Sequence, residues 1–110
     1  MDTYSIDYVD NDKNFVKSDF QPNSDNYYIN LMVSTLHTNH HSIILDTPEL
    51  ADNLYDAMLA RDMPGMADVD SSLLLFCKNV KPTATVSLTG ECADEIFGGY
   101  PWFFRDDALN

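Results

Sequence analysis

Positive charge is what this sequence has least of. Six Lys and Arg stand against eighteen Asp and Glu, for a formal net charge of −12 and a pI near 4.1. Such a field repels phosphate backbones and argues against non-specific DNA or RNA binding. An anionic membrane surface is disfavoured for the same reason. Cysteine is scarce too: Cys77 and Cys92 are too few for a disulfide framework or a four-cysteine zinc site. No apolar run approaches the ~20 residues of a membrane helix. Met1 leads into Asp2-Thr3-Tyr4, with neither the basic nor the apolar part of a secretory signal. These absences point to a cytoplasmic chain with free thiols, and to no nucleic acid and no membrane among its partners.

What is present suits one small globular domain: 110 residues, 45% hydrophobic and 22% charged. Tyr4 to Val9 is rich in aromatic and β-branched types and reads as a strand. A polar loop runs from Asp10 to about Asn23. Ser24 or Asp25 caps a helix whose apolar stripe is Tyr28, Leu31, Met32, Thr35 and Leu36. Ser42 to Leu45 reads as a buried strand. Thr47 as N-cap, Pro48 as N1 and Glu49 open a second helix that runs to about Arg61. Met63-Pro64-Gly65-Met66 breaks the pattern, and Asp68 or Asp70 caps a third helix through Leu73 to Cys77. Thr83 to Leu88 reads as another strand, and Cys92 to Phe97 as a short helix closed by Gly98-Gly99. This alternation predicts α/β with a mostly parallel sheet flanked by helices. Three strands are few for such a sheet, and the aromatic tail Tyr100 to Phe104 has nothing after it to pack against.

Several patterns offer chemistry and fall short. Asp10-x-Asp12-x-Asn14 opens like a calcium loop, but Phe15 stands where that loop needs Gly and Gln21 where it needs Glu. His37, His40 and His41 cluster without an acidic partner; metal binding competes with the commoner cap and packing roles. Asp70-Ser71-Ser72 lacks the glycine run of a phosphate loop and reads better as a helix cap. Cys77 falls on the apolar stripe and reads as a small buried hydrophobe.

The segment Leu88 to Tyr100 is different. A strand runs out, Thr89-Gly90 turns, and a helix starts at once, the place where open α/β sheets bind ligands. Thr89 offers a hydroxyl, and Gly90 lets backbone approach a ligand closely. Glu91, Asp94 and Glu95 stand at i, i+3 and i+4, so a helix would set them side by side. Mg²⁺ is usually held by one or two carboxylates plus substrate phosphates, and a second carboxylate can act as general base. Complementation of the helix dipole is the structural alternative.

Thr89-Gly-Glu-Cys-Ala-Asp-Glu-Ile-Phe-Gly-Gly-Tyr100 resembles the Ser-Gly-Glu-Gly-(Ala/Ser)-Asp-Glu-(Ile/Val)-Phe-Gly-Gly-Tyr motif of glutamine-dependent asparagine synthetases. Weaker likenesses follow in the right order. Thr3 to Tyr8 resembles the family strand on which adenine packs, and Leu36 to His41 its Leu-Gly-Thr-x-His-His stretch. Asp62 to Ser72 resembles a region near the substrate pocket. The resemblance implies a partial nucleotide-binding domain, of the adenine nucleotide alpha hydrolase-like type, in a chain that is an incomplete slice of the synthetase domain. The family's pyrophosphate-gripping Ser-Gly-Gly-x-Asp-Ser loop and its glutaminase domain have no counterpart among these residues.

By resemblance, Ile6 meets adenine, Thr89 and Gly90 contact ATP, Asp94 serves Mg²⁺, and Glu91 handles ammonia as the catalytic residue. Cys92 replaces a Gly, which is strained if that backbone has positive φ. The implied reaction is ATP-dependent amidation of aspartate through a β-aspartyl-AMP, releasing AMP and pyrophosphate. Its partners are ATP, aspartate and ammonia drawn from glutamine. The isolated chain is expected to be inactive. Association with the missing parts of the enzyme, or self-association through the aromatic tail, is a further expected partnership. The alternatives are a related adenylating enzyme, such as a β-lactam-forming cyclase, and a non-catalytic remnant or interaction module.

Overall fold

The computed structural model describes residues 1–18 and 21–103. Strands β1 (Asp2–Tyr8) and β2 (Asn39–Leu45) pair in parallel, with Asp2 opposite Asn39 and Tyr8 opposite Leu45. Parallel pairing needs a crossover. Here it contains the single turn α1 (Asn11–Asn14) and the helix α2 (Asp25–Leu36). After β2 come α3 (Thr47–Asp52), α4 (Leu54–Arg61), α5 (Ala67–Val80) and α6 (Ala93–Phe97), then a 3-10 turn at Pro101–Phe103.

The body forms where α5 lies against α3, α4 and the two strands. Leu45, Ala57, Leu75 and Val80 are its buried apolar side chains. Two tyrosines of β1 fasten α5 and the chain beyond it. Ser72 Oγ donates to the Asp68 carbonyl at 2.7 Å, so at 2.9 Å it accepts from the Tyr8 hydroxyl. Thr83 Oγ1 donates to the Val80 carbonyl at 2.9 Å and accepts from the Tyr4 hydroxyl at 2.6 Å. Asp70 is buried and paired with Arg61. The loop between α4 and α5 packs Gly65 against that pair, where a Cβ would overlap the Asp70 carboxylate and oblige it to shift.

Several expectations are corrected by this arrangement. Thr83–Leu88 is not a strand. A strand needs a ladder partner, and none pairs with it among the described residues; Val86 is 81% and Leu88 100% exposed. The amide groups of Thr83 and Ala84 instead wind onto the Val80 carbonyl. The helix expected from Thr47 to Arg61 breaks at Asn53, whose Nδ2 donates to the Glu49 carbonyl at 2.9 Å and competes with the helical pattern. Its N-cap is Asp46, which accepts from the Glu49 N–H at 2.7 Å; Pro48 still falls in the first turn, where a missing N–H costs nothing. Asp68 and Asp70 lie inside α5, which starts from Met66 without a side-chain cap. Cys77 is exposed, because the buried face of α5 is set by Ser71, Ser72 and Leu75 and Cys77 points the opposite way. The predicted loop after Asp10 contains α1. The expected stripe of α2 is exposed at every position; Asn26, Ile29 and Val33 are the less exposed residues of that helix, and none of its residues is buried.

The whole is open. Its radius of gyration is 16.1 Å, where about 13 Å is usual for this length. Its accessible surface is 8686 Å², against about 6,200 Å² for a folded monomer of this mass. Among the described residues, no helix is long and apolar enough to cross a membrane.

Candidate functional site

The Thr89–Tyr100 segment builds its own geometry. Thr89 Oγ1 accepts from the Glu91 N–H at 3.2 Å, and the Gly90 carbonyl accepts from the Ala93 N–H at 3.0 Å. Cys92 then sits at φ 67°, ψ 8°, in the left-handed region, as the N-cap of α6. A non-glycine residue there carries a steric cost of about 1–2 kcal/mol. Gly90 has open space around it: a Cβ would meet nothing within 4 Å. At the far end Gly98 takes φ 68°, and Gly99 donates its N–H to the Asp94 carbonyl at 3.0 Å.

The three acids do not line up as one helical cluster. Glu91 precedes the left-handed Cys92 and lies outside α6, whereas Asp94 and Glu95 occupy its first turn. Glu95 is engaged: the Tyr100 hydroxyl donates to its Oε1 at 3.0 Å. That bond to a carboxylate raises the Tyr100 phenol above its ordinary value of 10.0, and the charges of Glu95 and Asp94 push the same way. Asp94 carries no side-chain hydrogen bond among the described residues. No group of three His, Cys, Asp or Glu side chains there stands close enough to hold a metal ion by itself.

Ile6 stands elsewhere, half-buried in the middle of β1 opposite Ile43. Among the described residues, no hydrogen bond or ion pair joins β1 to the Thr89–Tyr100 segment. The structure thus brings Thr89, Gly90, Glu91 and Asp94 into one turn-and-helix unit and leaves Ile6 in the sheet.

The histidines have structural partners. His40 bonds Thr3 Oγ1 and Ser5 Oγ, each at 3.0 Å. His41 stacks on Tyr4 with ring centres 4.9 Å apart and reaches Asp2 at 3.2 Å. Hydrogen bonds from Asn39 and His41 hold the Asp2 carboxyl below the usual range. His37 ends α2 in a left-handed conformation. A cleft of about 320 Å³ lies between β1 and α2, with Tyr28, Met32 and Leu36 on one wall and Thr3, Ser5 and His40 on the other. Thr3, Tyr4 and Ser5 of the strand expected to pack adenine line it with His40, whereas Ile6, Thr89, Gly90, Glu91 and Asp94 do not.

Two features escaped sequence reasoning: the Tyr100–Glu95 bond and the packing of Gly99 against Asp94. The second had a readable signal, since one glycine suffices to end a helix and here there are two.

An asparagine synthase family profile matches residues 1–110. The chain belongs to the asparagine synthase family. Similarity to "Asparagine synthetase [glutamine-hydrolyzing] 3" of Bacillus subtilis (strain 168) reaches 55% identity over 107 residues, 97% of this chain. The chain spans 17% of that relative's length. No solved structure matches.

Proposed function

We propose that this chain is an incomplete part of a synthetase domain of nucleotide-binding type, cytoplasmic in location, that serves asparagine biosynthesis. The reaction is ATP-dependent amidation of aspartate. ATP activates the side-chain carboxylate as β-aspartyl-AMP with loss of pyrophosphate. Ammonia, drawn from glutamine elsewhere in the enzyme, then displaces AMP. The observation that carries this reading is the Thr89–Tyr100 unit, in which an open glycine, a free carboxylate and an occupied carboxylate follow one another in a single turn.

The residues take these roles. Gly90, with open space where a Cβ would stand, lets the nucleotide approach the backbone. Thr89 offers its hydroxyl beside it. Ile6 gives adenine an apolar contact at the sheet. Glu91 accepts a proton from the incoming ammonia, a role supported by its exposure outside the helix. Asp94 fits Mg²⁺ in the way a nucleotide-bound ion needs, as one unengaged carboxylate with phosphates supplying the other oxygens. When bound, that ion would offset charge on the transferring phosphate.

The isolated chain lacks the cations for this work. No Lys or Arg occurs between Lys81 and Arg105, and these 110 residues contain no Ser-Gly-Gly-x-Asp-Ser loop. Aspartate-dependent AMP formation by the purified chain would overturn its incompetence. The nucleotide role is tested by equilibrium dialysis of ATP with Mg²⁺ against the chain. Weak binding that Asp94→Asn and Thr89→Val both reduce supports it; binding indifferent to both counts against it.

A further inference from the structure

Two adjacent glycines close α6, and the structure gives them different tasks. Gly98 is the left-handed residue, with φ 68°, and a Cβ on it would meet nothing within 4 Å. Its need for glycine is conformational. Gly99 does not take positive φ, so its backbone tolerates a side chain. Its need for glycine is spatial: a Cβ would overlap the Asp94 carboxylate oxygen outright, lie 3.0 Å from Asp94 Cγ and 3.3 Å from Asp94 Cα. The close approach follows from the turn, because Gly98 and Gly99 both donate their N–H to the Asp94 carbonyl and draw the chain back over that residue. The next residue, Tyr100, donates its hydroxyl to Glu95 at 3.0 Å. The neighbouring carboxylate is thereby held at a different partner.

We propose that Gly99 is a positioning residue for Asp94: the missing side chain at 99 is the space the Asp94 carboxylate occupies, and the Tyr100–Glu95 hydrogen bond keeps Glu95 out of it. Gly98-Gly99-Tyr100 is then more than a helix stop. It selects one of two adjacent acids to stand free and sets the direction in which it points. The functional half of this rests on the reading that Asp94 serves a nucleotide-bound divalent ion; the geometric half does not.

The far end of Asp94 is a flexible side chain, so Gly99→Ala moves the carboxylate without unfolding the turn. This permits a sharp test on the isotopically labelled full chain. Three-bond couplings report the Asp94 χ1 rotamer, and Mn²⁺ with ATP serves as a paramagnetic probe whose broadening maps the bound ion. One dominant rotamer is expected in the parent chain and in Gly98→Asn, since Asn accepts the left-handed backbone and meets only open space there. Gly99→Ala should redistribute the rotamer and weaken Mn²⁺–ATP broadening around residue 94 about tenfold, the usual scale for displacing a metal ligand's support. An unchanged rotamer in Gly99→Ala would overturn the positioning role, as would equal losses in Gly98→Asn and Gly99→Ala. Asp94→Asn separates the two layers: broadening that survives it defeats the metal reading, while the rotamer result still decides the role of Gly99.

Discussion

The two halves of this molecule are held by different forces. In the body, side chains distant in sequence meet: Leu45 of β2, Ala57 of α4 and Leu75 of α5 are buried, and Tyr8 reaches Ser72 across the sheet. In the Thr89–Phe103 arm, every contact described is local. Thr89 holds Glu91, Gly99 holds Asp94, Tyr100 holds Glu95, and Tyr100 stacks on Trp102 at 4.2 Å. Ile96 and Phe97 remain 72% and 84% exposed. The body is a product of burial and the arm of turn chemistry. The arm therefore keeps its carboxylates in water and has little to anchor it.

The largest break in that comparison should come from the body. Leu45→Ala removes its most buried large side chain and should cost about 2–5 kcal/mol in denaturant unfolding, while the Tyr100 titration stays where it is. Arg61→Ala leaves the buried Asp70 carboxylate without its partner and should cost about 1–3 kcal/mol. Ser71 works in the opposite direction. Its hydroxyl is fully buried and makes no hydrogen bond among the described residues. Ser71→Ala should raise stability by about 1 kcal/mol, a gain readable as a higher denaturation midpoint.

The arm should respond more weakly and only to local changes. Cys92→Gly relieves a left-handed non-glycine residue and should protect the α6 amide groups by up to about 1 kcal/mol in hydrogen exchange, with no shift in the body. The smallest effect is electrostatic. Glu95→Gln removes the acceptor charge that raises the Tyr100 phenol, so its titration should fall back toward 10.0. The sign is fixed by linkage. The bond favours the protonated phenol, so it is present below 10.0 and is lost as pH rises through the shifted value. Ultraviolet difference absorbance follows it directly.

How far the sequence carries depends on the same division. The two strands, the span of α2 and the glycine stop of α6 were legible from local composition, though the expected stripe of α2 is exposed and its less exposed residues are Asn26, Ile29 and Val33; the positive φ at Cys92 was legible as a conditional. Thr83–Leu88 was misread because its β-branched composition reports a preference, and a strand also requires a neighbour. Cys77 was misread because its stripe was judged from residue type, whereas the buried face of α5 is chosen by what packs on it, including two serines and an aspartate. The α3–α4 break was missed because Asn53 is an ordinary helix residue until its side chain turns back to Glu49. For the site, the motif named the candidate residues. Only the structure shows Cys92 turned left-handed between Glu91 and the helix, and Glu95 already engaged.

The most direct measurement is amide hydrogen exchange on the full chain with and without Mg²⁺ and ATP. The account predicts added protection at Gly90 through Tyr100 and at β1 around Ile6, with the α3–α5 body unchanged. Protection confined to the cleft between β1 and α2, or no added protection at Gly90 through Asp94, would contradict it.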